Sequence, residues 1–361
     1  MFLKSLKLVN FRNYEKADFS LLNDIAVVVG PNTSGKTNFA EAIFFLATGR
    51  SLKAEKDDHI VSFDKEVSHI SGVVAASRNE DPENDTKLEV AVQTSNAEGY
   101  MRKKYKVNGV AKRRLDFAGN LACVIFLPEH LDIIVGSPGL RRNFLDNVLE
   151  QVDREYRAAT IAYTKGLRQR NALLDRTRES GERSERQFEY WDNLLIENGG
   201  VITQKREEFI NYINNFSKDI FDFVTFYDKS LISKQRLLQH KEAEVSSGVT
   251  LVGPHRDDTS FHMYNNTRRT THDIKQFGSR GQQRLTILQL KLIELSFIEG
   301  KIGQRPILIL DDIFSELDQD HIKLILEEIH GQQSILTATH KEFFAAKFLK
   351  KSDVIELKLG N

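Results

Sequence analysis

Two short segments at opposite ends of the chain carry the residues of one kind of site. Near the N-terminus, the apolar run Ile25–Val29 leads into Gly30-Pro-Asn-Thr-Ser-Gly-Lys-Thr37. Near the C-terminus, the apolar run 306–310 ends at Asp311 and Asp312. Such runs predict buried strands of a parallel sheet, whose carboxyl ends share one edge. We therefore expect both ends of the 361-residue chain to fold into one α/β domain.

The first segment predicts a phosphate-binding loop. It fits G-x-x-x-x-G-K-[ST], and the residues after it have the apolar spacing of an amphipathic helix. In a strand, loop and helix of this kind, backbone N–H groups surround phosphates, the lysine reaches the β- and γ-phosphates, and the last hydroxyl binds Mg²⁺. The residues predicted to bind ATP in this way are Gly30, Asn32, Ser34, Gly35, Lys36, Thr37 and Asn38.

The acidic pair at the other end predicts the metal and the base of the same site. Asp311 ends its strand where the Mg²⁺ shell is expected, so it would share the metal with Thr37. Asp312 follows where a carboxylate orients or deprotonates an attacking water. Residues 315–318, Ser-Glu-Leu-Asp, add to the specificity of the pattern. ATP and Mg²⁺ are the predicted cofactors, with Asp311, Asp312 and Lys36 as catalytic residues.

A third motif lies between these segments, at Phe277-Gly-Ser-Arg-Gly-Gln-Gln-Arg284. It resembles the signature motif of ABC-type ATPases, usually Ser-Gly-Gly-Gln, with Arg280 as a departure at the second position. The resemblance implies an α/β ABC-type ATPase head, built from N- and C-terminal parts. It also implies an ATP-dependent homodimer, in which Ser279, Gly281 and Gln282 contact the ATP of the other protomer.

The middle of the chain predicts an inserted α-helical lobe. We assign 1–128 and 247–361 to the ATPase head and 129–246 to the lobe. Two stretches with helical spacing are separated by a charged break at 175–187. Each leg has about 35 to 40 residues and would reach roughly 50 to 60 Å. A leg of that length leaves no room for a distant hinge, and its many aromatic residues favour a packed lobe over a free coiled coil.

Several further strings narrow the family. In chain order, these strings are Val9-Asn-Phe-Arg-Asn-Tyr14, residues 49–51, 126–130, 136–146 and 167–171, Trp191-Asp192 and Gly253-Pro-His-Arg-Asp-Asp258. They are similar to strings of the RecF family of bacterial DNA replication and repair ATPases, from residue 3 to about residue 340. The resemblance implies ATP-dependent binding to duplex or gapped DNA and slow ATP hydrolysis. It also implies work with RecR and RecO to load RecA at single-strand gaps.

The resemblance extends to individual residues outside the motifs. Arg12 corresponds to a basic residue that contacts phosphate in related heads. His340, which follows the apolar run 335–339, matches the switch histidine that senses the γ-phosphate. Glu129 falls where ABC proteins have a Mg²⁺-sensing glutamine, and whether it acts there is left open.

Charge gives a separate and weaker indication of DNA binding. The 51 basic and 51 acidic residues balance to zero, which excludes a strongly basic DNA-wrapping protein but permits a local patch. Cations flank the hairpin signal Asn108-Gly109, and the candidate DNA contacts are Arg102, Lys103, Lys104, Lys112, Arg113 and Arg114. Lys106 is in the same ribbon. A solvated hairpin without a ligand explains this pattern equally well.

Composition excludes several other classes. Cys123 is the only cysteine and is expected in the core, so there is no disulfide framework, and no Cys/His group has zinc spacing. The N-terminus predicts a strand rather than a signal peptide. No apolar run approaches membrane-spanning length. We therefore expect a cytoplasmic protein that does not enter the membrane.

Three other functions fit part of the sequence. One is an ATP-gated scaffold that makes little use of hydrolysis. Another is a related anti-phage ATPase that partners a nuclease, although the string at 253–258 argues against it. The third is a nucleotide-binding subunit of a transporter, which the long helical insertion makes improbable.

Overall fold

The computed structural model describes residues 1–52, 57–94, 102–265, 270–313 and 331–358, and the string at 315–318 lies outside them. The strands are β1 Phe2–Phe11, β2 Tyr14–Ser20, β3 Ile25–Val29, β4 Val67–Ala75, β5 Thr86–Gln93, β6 Arg102–Val107, β7 Val110–Lys112, β8 Cys123–Phe126, β9 Phe223–Asp228, β10 Asp258–Asn265, β11 Thr270–Asp273, β12 Ile307–Asp311, β13 Ser334–Ala338 and β14 Asp353–Glu356. The helices are α1 Lys36–Thr48, α2 Arg114–Phe117, α3 Asp132–Val135, α4 Pro138–Val152, α5 Arg154–Ser180, α6 Glu185–Asn215, α7 Lys234–Gln239, α8 Lys241–Ser247, α9 Ile274–Phe277, α10 Arg280–Ile302 and α11 Ala346–Leu349.

The chain divides into two compact units, and the first contains Met1–His130 and Glu294–Asn361. Its parallel sheet has the strand order β14-β3-β13-β12-β8. Strands from both ends of the chain alternate in this sheet, since β13 pairs with both β3 and β12. The expected joining of N- and C-terminal parts in one α/β domain is therefore confirmed. Cys123, at the start of β8, is buried as expected.

A second sheet of the first unit is antiparallel, in the order β2-β1-β4-β5-β6-β7. The predicted hairpin joins β6 to β7, because Val107 pairs with Val110 across Asn108 and Gly109. Both turn residues have positive φ, 50° and 77°, as the favoured two-residue hairpin turn requires. Helix α1 is apolar along most of its surface and almost entirely buried, so it is a core helix of this unit.

The second unit contains Leu131–Ile293. It combines α4, the long hairpin of α5 and α6, and an antiparallel sheet in the order β11-β10-β9. Its end therefore differs from the predicted lobe, which stopped at residue 246. The physical reason is strand pairing: residues 258–265 pair with Phe223–Asp228, which ties the later segment to the lobe.

The helical legs differ from the prediction in two details. The charged segment 175–187 is not one long break, because α5 continues to Ser180 and α6 begins at Glu185. Asp175 and Arg178 form an i,i+3 ion pair that suits a helix, and Gly181, at φ 74°, ends it. The first leg is interrupted instead at Asp153, whose carboxylate caps α5 through Tyr156 N–H. Helices of 27 and 31 residues span about 40 and 46 Å.

Candidate nucleotide-binding site

The carboxyl edge of the parallel sheet gathers the predicted residues of the first unit. The strand order β3-β13-β12-β8 places four loops side by side at this edge. They are the loop at 30–35, the segment ending at His340, the acidic pair after β12, and the turn that contains Glu129. This is the location at which open α/β sheets bind ligands.

The glycines of the loop are required by close packing. Gly35 has φ 104°, and a Cβ there would lie 2.7 Å from the Asn13 amide nitrogen. A Cβ on Gly30 would lie 2.6 Å from the Ser34 hydroxyl. Only residues without a side chain fit these positions, so the backbone can approach a ligand closely. Helix α1 begins immediately after Gly35, which directs its N-terminal N–H groups toward the loop.

Lys36 is held across this loop. Its ammonium donates hydrogen bonds to the carbonyl oxygens of Gly30 at 2.8 Å and Pro31 at 3.2 Å. It also lies 3.8 Å from a carboxylate oxygen of Asp312. The side chain is only 5% exposed, so its charge stays within the loop rather than in solvent.

Thr37 and Asp311 are brought together as predicted. The Thr37 hydroxyl donates to Asp311 Oδ2 at 2.7 Å, and the Thr337 hydroxyl donates to Asp311 Oδ1 at 2.6 Å. Thr337 also accepts from the backbone N–H of Asp312 at 3.0 Å. A hydroxyl beside a carboxylate is a donor set of hard oxygens, which suits Mg²⁺ completed by phosphate and water.

Asp312 has two features that fit a reacting group. Its backbone adopts φ 52°, an uncommon conformation for a residue with a side chain. Burial raises the pKa of its carboxyl group and the neighbouring Asp311 raises it further, whereas Lys36 lowers it. A carboxylate with a raised pKa is a better proton acceptor, as a general base requires.

The loop residues fit a bound nucleotide. The Ser34 hydroxyl is buried and has no hydrogen-bond partner among the described residues. A buried polar group without a partner costs free energy, and such groups are often satisfied by a ligand. In the described part of the chain, no group of three or more His, Cys, Asp or Glu could hold a metal. A metal at this edge would therefore rely on Thr37, one carboxylate and the ligand's phosphates.

The turn between β1 and β2 supports the loop, a role that sequence reasoning missed. The Tyr14 hydroxyl donates to the Gly35 carbonyl at 2.9 Å, and the Asn13 amide donates to the Ser34 carbonyl at 3.3 Å. Asn38, in the first turn of α1, donates to Asn13 Oδ1 at 2.7 Å. Burial raises the pKa of Tyr14, so its phenol stays protonated and remains a donor. These contacts give two loop carbonyls partners within the protein and so help to fix the conformation of the loop.

Arg12 makes contacts that the sequence did not indicate. Its guanidinium donates two hydrogen bonds to Glu41, at 2.9 and 2.7 Å, and a third to the His59 carbonyl at 2.7 Å. Glu41 is 1% exposed and also accepts from the Ser51 hydroxyl at 2.6 Å. The phosphate contact of Arg12 stays a prediction. A buried glutamate within a phosphate-loop helix was the missed signal.

The signature motif, in the second unit, has a recognisable helix start. Ser279 Oγ accepts from the Gln282 N–H at 3.3 Å, while Gln282 Oε1 accepts from the Ser279 N–H at 2.8 Å. This reciprocal pair is a capping box, and it fixes the N-terminus of α10. Ser279, Arg280 and Gly281 are exposed.

The remaining predicted residues, His340 and Glu129, lie at the carboxyl edge of the parallel sheet. His340 is exposed, follows β13 and has its ring 6.3 Å from that of Phe343. Because β13 lies between β3 and β12, His340 comes from the strand next to both parts of the site. Glu129 is exposed and follows β8, one strand beyond the acidic pair. Both roles stay predictions.

The basic ribbon divides into two sets. Lys103 donates to the Gly49 carbonyl at 3.3 Å, and Arg114 donates to the Thr48 carbonyl at 3.2 Å, so both lie at the C-terminus of α1. Arg113 pairs with Asp116 at 3.3 Å. Four cations are exposed and make no such contact with the residues that the structure describes: Arg102, Lys104, Lys106 and Lys112. A groove of about 410 Å³ is lined by the first three of them.

Comparison with known proteins agrees with this arrangement. The family model for the RecF/RecN/SMC N-terminal domain matches residues 2–356. The chain is 32% identical to the DNA replication and repair protein RecF of Herpetosiphon aurantiacus, covering 97% of this chain and 96% of that protein. It is also 32% identical to RecF of Agathobacter rectalis, covering 100% of this chain and 98% of that protein. The chain belongs to the RecF family.

Solved structures of RecF show the same fold. The structure of the recombination mediator protein RecF-ATP in the RecFOR pathway has a TM-score of 0.83 and is 30% identical, covering 95% of this chain and 93% of that one. The structure of RecF-ATPrS has a TM-score of 0.82 and covers 95% and 94%. The expected ABC-type ATPase architecture of this RecF-family chain is confirmed.

One family string has a structural role in this RecF-family chain. Asp257, in the string at 253–258, is buried and accepts from Arg206 at 3.1 Å and from the Ser230 N–H at 2.7 Å. Asp258 accepts two hydrogen bonds from Arg141, at 2.7 and 3.1 Å. The string therefore builds the interior of the second unit. Across the described residues, none of the helices combines the length and apolar character needed to cross a membrane.

Proposed function

We propose that this chain is an ATP-dependent DNA-binding protein of recombinational repair and replication restart. The observation that carries the proposal is the meeting of Lys36, Thr37 and Asp311 at one sheet edge, although the last two are 274 positions apart. That combination suits a nucleoside triphosphate with Mg²⁺. Relatives whose solved structures are described as RecF-ATP support the choice of ATP.

We further propose that hydrolysis is slow. Mg²⁺ would supply charge neutralisation on the phosphates. Lys36 would neutralise phosphate charge, and Asp312 would orient the attacking water. Asp312 has one methylene less than the glutamate common in ABC transporters, so its carboxylate reaches less far. We expect turnover below about one per second, a barrier above roughly 17 kcal/mol. A steady-state rate of tens per second in a phosphate-release assay would contradict it.

The signature segment supports a dimer in which each protomer completes the other's site. Ser279 and the first turn of α10 are exposed, and the capping box leaves the N–H group of Gly281 available for an anion. Phe277, two residues earlier, is 63% exposed, which suits a surface that a partner covers. ATP would then hold two heads together, and its hydrolysis would release them.

The exposed set of the basic ribbon is the proposed DNA contact. Arg102, Lys104 and Lys106 alternate along β6, so they lie on one face of the sheet. Lys103 is on the other face and caps α1, so it is not expected to contact DNA. Each lost phosphate contact should reduce the salt dependence of binding by about 0.9 in log–log slope. Lys104→Glu should show this loss, and Lys351→Glu, an exposed lysine elsewhere, should not.

Membership of the family supports a proposal about partners and location. Relatives described as recombination mediators in the RecFOR pathway support work with RecR and RecO, which promotes RecA loading at single-strand gaps. Action on DNA gaps during repair would take place in the cytoplasm. The scaffold alternative remains the second candidate because Asp312 is a short base. Asp312→Asn separates the two, since unchanged repair without turnover would favour the scaffold.

The deciding experiment measures binding to duplex and gapped duplex DNA by fluorescence anisotropy, at fixed salt, without nucleotide and with ADP, ATP or a non-hydrolysable ATP analogue. We expect tight binding only with ATP or the analogue. Lys36→Ala should lose nucleotide binding together with DNA binding. Ser279→Arg should keep nucleotide binding but lose dimers in sedimentation. DNA binding that is the same with and without nucleotide would refute the proposal. ATP-driven dimers of Ser279→Arg would refute the contact between protomers.

A further inference from the structure

An open groove lies between α5 and α6, and its residues belong neither to the nucleotide site nor to the proposed DNA contact. Its volume is about 700 Å³. Gln169, Leu173 and Arg176 line it from α5, and Arg186, Tyr190 and Trp191 line it from α6. The groove is within the size range of sites that hold small ligands or a few residues of a peptide.

Two family strings contribute to this groove with only part of their residues. In the string 167–171, Arg170 turns inward and donates to Asp192 at 2.6 Å. Asn171 accepts from the Thr250 N–H at 2.9 Å. Their neighbours Gln169 and Trp191 line the groove instead. The inward residues hold the helices together through hydrogen bonds, while Gln169 and Trp191 are half-buried and face the groove.

The two arginines of the groove have no ion-pair partner in the part of the chain that the structure describes. Both Arg176 and Arg186 are exposed, and no acidic residue lines the groove. Neighbouring arginines behave differently. Arg178 pairs with Asp175 at 2.9 Å, and Arg183 pairs with Glu185 at 3.1 Å. A smaller adjoining cavity of about 240 Å³ does include Glu182.

Aromatic rings complete the groove beside these charges. Tyr190 is 61% exposed, and its ring lies 4.8 Å from that of Trp191 in an edge-to-face arrangement. Leu173 lies in the same lining. Large aromatic residues together with arginine form the usual energetic centre of protein–protein contacts.

We propose that this groove binds an acidic peptide segment of a partner protein. Two carboxylates of the peptide would pair with Arg176 and Arg186, since a planar guanidinium binds a carboxylate through two parallel hydrogen bonds. An apolar side chain of the peptide would pack against Tyr190, Trp191 and Leu173. The arginines and the apolar side chains line one groove, which therefore fits a peptide of only a few residues.

Charge balance favours a peptide over a nucleic acid strand. Residues 168–192 contain the basic residues Arg168, Arg170, Arg176, Arg178, Arg183 and Arg186, and the acidic residues Asp175, Glu179, Glu182, Glu185, Glu189 and Asp192. The six positive and six negative charges cancel, so residues 168–192 lack the extended positive field that binding to a phosphate backbone requires. Of the described residues that line the groove, two are arginines and none is acidic.

The test uses the full chain and a labelled peptide of alternating Asp and Phe, at about 0.15 M salt, where exposed charges are largely screened. Fluorescence polarisation is compared with that of an Asn/Phe peptide and an oligothymidylate. We expect the Asp/Phe peptide to bind at least about tenfold more tightly than either. Arg176→Ala with Arg186→Ala should abolish this preference, and Tyr190→Ala should weaken binding to both peptides.

Arg178→Ala is the matched control, because this exposed arginine already has a partner in Asp175. It should leave peptide affinity within about twofold of the original chain, while circular dichroism confirms that every variant keeps its helices. Tighter binding of oligothymidylate that is lost in the arginine variant would overturn the peptide assignment in favour of single-stranded nucleic acid. Absent binding, or binding that the groove variants leave unchanged, would overturn the site.

Discussion

The sheet edge of the first unit and the interior of the second unit handle charge in opposite ways. At the edge, the Ser34 hydroxyl is buried and has no partner in the part of the chain that the structure describes, and Asp312 combines a left-handed backbone with a raised pKa. In the interior, Arg206 uses all its nitrogens, bonding to Tyr156, Pro254, Asp257 and Asp146. Both regions contain family strings, but protein groups satisfy Arg206, whereas the edge combines a buried hydroxyl that has no partner among the described residues with a strained carboxylate.

This contrast separates residues that contact a ligand from residues that hold the fold in place. Strain and unsatisfied groups cost stability and persist where a ligand later uses them. A buried ion network with every donor satisfied has no capacity left for a substrate. We therefore expect damage to the interior to change stability with little effect on nucleotide affinity, and damage to the edge to do the reverse.

The largest effect is expected for Arg206→Met. This change leaves the buried Asp257 and the partly buried Asp146 without their arginine, and removal of one partner of a buried ion pair costs about 3 to 5 kcal/mol. Urea unfolding should show that loss, while the variant that remains folded should bind ATP with its original affinity.

The matched control is Arg176→Met, which removes an exposed arginine without a described ion pair and should cost below about 0.5 kcal/mol. Weaker ATP binding by folded Arg206→Met would contradict the division between residues that contact a ligand and residues that hold the fold in place. A stability loss no larger than that of the control would show that the network contributes little.

A smaller effect is expected on acidification. Burial lowers the pKa of His255 from 6.5 to about 4, with nearby arginines adding to it. Its Nδ1 lies 2.8 Å from the Tyr163 hydroxyl and its Nε2 lies 3.0 Å from the Thr250 carbonyl, which suits a neutral ring. As pH falls below 6.5, His255 is protonated in the unfolded chain but stays neutral in the folded chain until the pH approaches 4. The free energy of unfolding should therefore fall by about 2 kcal/mol between about pH 7.5 and pH 5.

His255→Gln isolates this contribution, because all other titrating groups stay in place. Its stability should be lower at neutral pH but should lose about 2 kcal/mol less than the original chain over the same range. Equal slopes of the two stability curves would show that His255 takes up its proton in the folded chain as readily as when unfolded.

The sequence was informative where a motif is contiguous. The loop at 30–37, the strand that ends at Asp311 and the Asn108-Gly109 turn each depend on neighbouring residues, and local chemistry determines them. The predicted ends of the helices agree less well with the structure. The charged residues 175–187 predict a break, although Gly181 is the residue that ends the helix.

Contacts between distant residues had no such signal. Tyr14 lies 21 positions before Gly35, and Thr337 lies 26 positions after Asp311. Neither residue is part of a periodic pattern that would indicate its partner. The sequence also could not predict where the second unit ends, because that depends on which strands pair within residues 223–273.

The smallest and most specific effect concerns the two ends of α1. The Tyr14 hydroxyl donates to the Gly35 carbonyl before the helix at 2.9 Å, and the Tyr105 hydroxyl donates to the Gly49 carbonyl after it at 3.2 Å. Replacing either by Phe removes one buried hydrogen bond, worth about 1 kcal/mol. Only Tyr14→Phe should also weaken ATP binding, by up to about fivefold in calorimetry, because only Gly35 borders the phosphates. An equal loss of ATP affinity in Tyr105→Phe would mean that the tyrosines act through the stability of α1 and not through the loop.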